Sequence, residues 1–475
     1  MGQEIKTTQF CDQDREAFKS RLRMETSILK NHFKDERLEE PEIPKIGLEV
    51  EAWLVDKNGL PCPKNLAFLE QTNHPLLVPE LSQYNFELNV DPLPLSNNCF
   101  GEISNQLNEL WSHCEKVSEQ MKIHPLLVGI LPTLTDDMLG LQNMTQSNRY
   151  QALNEQLFHL RKKKDLKIHI ENIDILDLIK QDIMLEAAAT SIQVHLQVGK
   201  NKSSQYYNAS IIASAPIVAI AANSPFLYGH HLWDETRIPI FEQAVQVASF
   251  RNNHGQDIGR VTFGTGFSRN NLFEVFLENL DGYPTLIPLL FEDEPEKLSH
   301  LKFHNGTIWR WNRPIIGHDE KLIPHLRIEQ RVMASGPTIE DIMANTAFYI
   351  GLTISLAQKD LSQKTFEQAK SNFYHCAKEG LASEVIWFGK TVPLKNLIEE
   401  VLIPESKKAL IDSGVDKEEV EFYIDGIIGE RIKSNQNGAN WQKKFVEKKG
   451  KDFHALTDAY RLNQMTGVPV HKWKI

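Results

Sequence analysis

The chain has 475 residues, 41% hydrophobic and 24% charged, an ordinary globular composition long enough for one large core or two domains. Its formal net charge is −11 and its pI about 5.9, the reverse of the basic surplus that a nucleic-acid binder carries. Five scattered cysteines with no CxxC spacing argue against a disulfide framework or a zinc cluster and suit a reducing compartment.

The opening residues, MGQEIKTTQF, hold no apolar run of the kind a secretory signal needs, and Lys6 stands where a myristoylation start wants Ser or Thr. Residues 8–35 read as a mixed-charge helix. The stretch KIGLEVEAWLVD, 45–56, reads as a strand that carries Glu49 and Glu51 on one face. Two neighbouring carboxylates repel unless a cation or water lies between them. A second strand, 84–90, carries Glu87 against Phe86, Leu88 and Val90, with Glu80 seven residues earlier. Residues 100–121 read as a helix, with Ile103, Leu107, Leu110 and Trp111 at helical spacing. Strand patterns follow at 168–173 and 191–198. In the latter, Gln193, His195 and Gln197 share one face, and Ile192, Val194, Leu196 and Val198 the other.

Helical patterns cover 209–222 and 234–248. The longest apolar run, 211–222, is too short to span a bilayer and contains Pro216, so a soluble cytoplasmic protein is expected. The Gly-rich stretch 251–270, with Arg251, Arg260 and Arg269, has two readings of equal weight: a loop over phosphates, using N–H groups and arginine, or a surface loop. No Walker A or GxGxxG motif occurs. Residues 308–313 read as a strand, with Arg310 and Arg313 among Trp309 and Trp311. Another strand, 325–333, puts His325, Arg327, Glu329 and Arg331 on one face against Leu326, Ile328 and Val332. Residues 338–360 are helical. The tail beyond about 379 reads as charged and helical, ending in the break SNQNGANWQ. Strands and helices do not alternate regularly, which predicts an α+β fold.

Any one of these strands alone is best read as a sheet with one wet face. Four together are harder to explain so, because their polar faces hold Glu, His, Gln and Arg with few of the Thr, Ser and Lys of ordinary exposed strands. Carboxylates with an imidazole suit Mg²⁺ or Mn²⁺, and arginines suit phosphate. The pattern predicts a concave sheet holding divalent cations and a nucleotide phosphate.

These motifs resemble the glutamate–cysteine ligase superfamily, specifically the family-two glutamate–cysteine ligases and carboxylate–amine ligases, over about residues 45–360 with a weaker echo to the C-terminus. IGLEVE is similar to that family's G-x-E-x-E strand, Glu80/Glu87 to its second acidic pair, SIQVHLQV to its Q-V-H strand, ANSPFLYGHHLWDETR to its S-P-F…R segment, and LRIEQRV to its E-x-R strand. The resemblance implies a glutamine-synthetase-like catalytic domain, 1–378, with a curved, largely antiparallel sheet flanked by helices. Residues 379–475 would be a helical extension packed on it. It implies that ATP phosphorylates the γ-carboxylate of glutamate and that an amine, cysteine first among candidates, attacks the acyl phosphate. It implies Mg²⁺ or Mn²⁺ held by Glu49, Glu51, Glu80, Glu87, His195 and Glu329. Arg331 and Glu329 would be catalytic, Gln193 and Arg237 would bind substrate, and Arg260, Arg310 and Arg331 would face the nucleotide. Two alternatives stay open: a carboxylate–amine ligase acting on another amine, and a non-catalytic sensor that binds nucleotide or amino acid.

Overall fold

The computed structural model describes residues 4–35, 37–247, 250–251, 255–361 and 365–475. Its centre is an eight-stranded antiparallel sheet. The strands are β1 (Lys45–Val55), β2 (Leu77–Pro79), β3 (Asn85–Asn89), β4 (Leu93–Pro94), β5 (His124–Leu126), β6 (Ser191–Val198), β7 (Asn312–His318) and β8 (Pro324–Ala334). Their spatial order is β7-β8-β6-β1-β3-β2, and β4 and β5 pair with the two ends of β1. The long strand β1 is therefore the hub, and the sheet curls around it.

The apolar face of the sheet packs against two long helices, α3 (Ser203–Ile220) and α5 (Ile339–Ala357). Nearly every residue of α3 is buried, as expected of a helix that is hydrophobic all round. Thr338 caps α5 by accepting from the Asp341 N–H, and Glu340 and Asp341 fill its first turn, where negative charge suits the helix dipole. Ile46, Leu48, Val50, Ile192, Val194, Leu196, Leu326 and Ile328 are all buried on the helix side. The polar side chains of the same strands are left to the concave face.

The α+β class and the curved antiparallel sheet are as the sequence predicts. The helix expected over 8–35 is α1 (Asp12–Lys34), and that over 100–121 is Cys99–Met121. The expected strand at 308–313 is two: Trp309–Arg310, which pairs in parallel with Val261–Thr262, and then β7. The helix expected over 234–248 is shorter, α4 (Arg237–Ala244). Further helices lie outside the expected spans, among them α2 (Asn148–Leu160) and α6 (Phe366–Glu379). The break does not end the tail: it is confined to 435–437, helices Gly438–Lys449 and α7 (Phe453–Gln464) continue from it, and a hairpin, Glu384–Trp387 with Lys390–Pro393, precedes it. Among the described residues no helix is long and apolar enough to cross a membrane.

Candidate active site

Strand register brings the polar side chains together. In β1 against β3, Glu51 lies opposite Glu87 and Glu49 opposite Asn89. In β1 against β6, Glu49 lies opposite Gln193 and Gly47 opposite His195. In β8 against β6, Glu329 lies opposite His195, and in β7 against β8, Arg313 lies opposite Glu329. Residues directly opposite in an antiparallel pair share a face, so all of these reach the concave side. Glu80 follows β2 directly and joins them from the sheet edge.

The result is two groups of three. Glu49, His195 and Glu329 each offer a ligand atom within 4.8 Å of the others, and so do Glu51, Glu80 and Glu87. Gln193 bridges the groups. Its Nε2 lies 3.2 Å from Glu51 Oε1 and 3.5 Å from Glu87 Oε2, and its Oε1 accepts from Arg331 at 2.7 Å.

The electrostatics of the two groups differ. Glu329 is buried, yet Arg313 grips it bidentately at 2.7 and 2.8 Å and Arg331 adds a third bond at 3.0 Å. Burial works against its charge, but Arg313, Arg331 and His195 outweigh that and hold the carboxyl far below the usual range. Burial likewise opposes ionisation of Glu49, and His195, 3.0 Å away, more than offsets it. In the other group Arg331 and Arg149 pull the same way, on Glu51 and Glu80, but do not outweigh burial. Burial, then repulsion from Glu80, pushes Glu51 up to about 8. Burial raises Glu80, and burial with three neighbouring carboxylates raises Glu87 well above its usual value.

These residues fit divalent cations. The donors are carboxylate oxygens and one imidazole, which Mg²⁺ and Mn²⁺ accept. The Glu51 group is three carboxyls, Glu87 buried and Glu51 and Glu80 half-buried, that resist ionisation until a positive charge stands among them. Backbone and hydroxyl bonds from Ser191, at 2.7 and 3.1 Å, fix Glu51 in place, and Asn89 holds Glu87 at 3.0 Å.

Three other arginines from the sequence reading have different work. Arg237 is buried, ion-paired with Glu235 at 2.8 Å, and donates to the Val332 carbonyl at 2.8 Å. Arg260 is buried and donates to the carbonyls of Thr307 and Pro284. Arg310 is buried against Glu278 and Asn279. These contacts explain all three through the fold, and their expected substrate and nucleotide roles gain no support from them.

The site also contains residues that the sequence reading gave no role. Arg313 has no role of its own in the sequence reading beyond its place in a stretch that resembles the family's nucleotide-binding strand; alternation along β7 puts it on the face of Glu329. Glu186 sits in the 3-10 turn Met184–Ala188, where no strand alternation marks it, and burial with Glu80 and Glu51 pushes it up to about 8. Arg149 and Tyr150 begin α2. Tyr150 donates to the Pro79 carbonyl at 2.9 Å, and Arg149 lies over its ring and favours the charge of Glu80. The spacing of Leu153, Leu157 and Leu160 marks that helix in the sequence.

The model of glutamate–cysteine ligase family 2 matches residues 45–461. In structure the chain is similar to a glutamate–cysteine ligase from Francisella tularensis in complex with AMP. Identity is 13% and the TM-score 0.52, over 90% of this chain and 89% of that one. It is also similar to a bifunctional glutathione synthetase from Pasteurella multocida, at 12% identity and a TM-score of 0.51, over 93% of this chain and 55% of that one. The chain thus spans about half the length of the bifunctional protein. At these identities the likeness is one of fold. No curated protein gives a significant match.

Proposed function

This chain belongs to glutamate–cysteine ligase family 2, and we propose that it joins the γ-carboxylate of glutamate to the amine of cysteine through a γ-glutamyl phosphate, with ATP as phosphoryl donor. Family membership supports an ATP-dependent carboxylate–amine ligase. The observation that carries the finer reading is the pair of three-ligand groups on one sheet face, with Arg331 between them. Phosphoryl transfer needs little covalent help from protein; it needs positioning and neutralised charge.

Glu49, His195 and Glu329 would hold one Mg²⁺ or Mn²⁺, and Glu51, Glu80 and Glu87 a second. When bound, the cations supply charge neutralisation for the polyphosphate and polarise the carboxylate to be activated. The remaining work belongs to side chains. Arg331, held by Glu329 and Gln193, presents its guanidinium to the transferring phosphoryl group. Arg313 keeps Glu329 ionised and fixed. Gln193 orients the bound amino acid. Arg237 serves indirectly, pinning the Val332 carbonyl one residue from Arg331. Residues 1–378 form the catalytic domain in this reading, and 379–475 an extension packed on it.

The test is product identification by mass, with ATP, Mg²⁺ and glutamate fixed and the amine varied. A γ-glutamylcysteine product with stoichiometric ADP is expected. A product with some other amine and none with cysteine would overturn the cysteine assignment while keeping the ligase.

A further inference from the structure

A cavity of about 330 Å³ lies at the far end of α4, between the strand Val261–Thr262 and α6. None of the six residues of the two acidic groups lines it. Its volume is at the small end of ligand cavities, roughly 300–1,000 Å³, which suits an amino acid better than a nucleotide.

Two charged groups, Glu242 and Lys370, face it and attract each other without a direct hydrogen bond or ion pair. Glu242 is fixed through one oxygen: its Oε1 accepts from the Tyr374 hydroxyl at 2.6 Å and from the Trp311 indole N–H at 2.8 Å. Among the described residues its Oε2 has no hydrogen-bond partner. Burial pushes the Glu242 carboxyl up to about 7, against the pull of those two donors and of the Lys370 ammonium, which faces it at more than ion-pair distance. Lys370 lines the same cavity, and among the described residues its ammonium makes no hydrogen bond or ion pair. Lys370 and Tyr374 are four residues apart on α6 and so share a face. Phe263 and Phe366 supply apolar wall, their rings 5.7 Å apart.

A carboxylate held with one oxygen free, and an ammonium facing the same space, are placed to receive the two ends of a zwitterion. We propose that this cavity is a binding site for a free α-amino acid, its ammonium on Glu242 Oε2 and its carboxylate on Lys370, apart from the acidic face. Trp311 links the two places: its indole holds Glu242, and its carbonyl accepts from the Arg331 N–H at 3.0 Å.

The test is calorimetric titration of the full chain with glycine, L-alanine, ethylamine and acetate, without ATP or divalent metal. Turnover plays no part, so failure of the ligase reading and failure of this site are told apart. Saturable binding of glycine and alanine is expected, with ethylamine and acetate at least about tenfold weaker. Lys370→Met and Glu242→Gln should each weaken binding about tenfold or more, and Glu87→Gln should leave it unchanged. Glu242→Gln disturbs the Tyr374 and Trp311 bonds, whereas Lys370→Met removes no hydrogen bond and only an attraction to Glu242, so the latter decides the matter. No binding to the folded wild-type chain, or equal binding to Lys370→Met, would overturn the proposal.

Discussion

Glu329 and Glu87 are both buried carboxylates of the same face, yet replacing them has opposite consequences for stability. Glu329 neutralises two guanidiniums. Glu329→Gln leaves Arg313 and Arg331 short of a counter-charge, and breaking a buried pair from one side costs roughly 3–5 kcal/mol. Turnover should fall at least about a hundredfold and the melting temperature should drop. Glu87→Gln instead removes one of three mutually repelling carboxyls. It should abolish turnover equally while leaving the metal-free melting temperature unchanged or higher. A drop in both variants, or wild-type turnover in Glu87→Gln, would break the assignment of the second group. Arg331→Ala should lower kcat more than it raises the KM for glutamate, measured in steady state; a pure KM effect would move that arginine to the substrate.

The sign of the pH dependence follows from the same groups. Glu51 has a folded pKa of about 8, above its ordinary 4.5. Between those values the folded state binds more protons than the unfolded one, so this group's contribution to stability is lost as pH rises towards 8. A bound cation reverses the preference. The gain in melting temperature on adding Mg²⁺ should therefore grow from pH 6 to pH 8, as measured by paired thermal scans. Taking the difference cancels histidines such as His304, whose pKa burial lowers to about 4. At this scale the sequence was informative where residues alternate on strands: Glu49, Glu51, Glu87, His195 and Glu329 declare their face by parity. Glu80 did not, because it lies beyond a strand end, and Glu186 did not, because its turn has no period of two.

Among the elements, β1 carries the greatest demand, since both acidic groups draw on it and its backbone is held from the C-terminal helices. Tyr460 of α7 donates to the Leu127 carbonyl at 3.0 Å. Asn223 donates to the Tyr460 oxygen and to the Ser335 carbonyl, each at 2.8 Å, and accepts from Gln442 at 3.0 Å. The Ser335 hydroxyl closes the chain on the Glu51 carbonyl at 2.6 Å. Asn223→Ala strands several buried polar groups and should cost roughly 2–3 kcal/mol in denaturant unfolding. A cost near zero would show that the C-terminal helices do not hold β1. The longest strands and helices were legible because their hydrophobic period is sustained, whereas α2 and α6, of 13 and 14 residues, were not. Nor were the short ones. Helix α4 is only eight residues and begins with buried Arg237, so its charges resemble a solvated helix start.

For the molecule as a whole, acidity and function do not conflict. The net charge of −11 belongs to the whole chain, while the concave face concentrates arginine with carboxylate. Helix α1 precedes the matched region, yet Glu25 ties it to the body through His300 at 2.6 Å and the Leu301 N–H at 2.8 Å. The sequence showed a mixed-charge helix there, and nothing in it marks Glu25 among the other acids. The same holds for the amine: charge and parity single out the acidic, arginine-bearing face, but no residue pattern in the sequence marks an acceptor.

In the proposed reaction this face activates a carboxylate by phosphorylating it. This step is tested most directly with glutamate carrying ¹⁸O in its γ-carboxylate, turned over with ATP, Mg²⁺ and cysteine. The released phosphate should carry one labelled oxygen, transferred when the amine displaces the acyl phosphate. Amide product accompanied by unlabelled phosphate would contradict it.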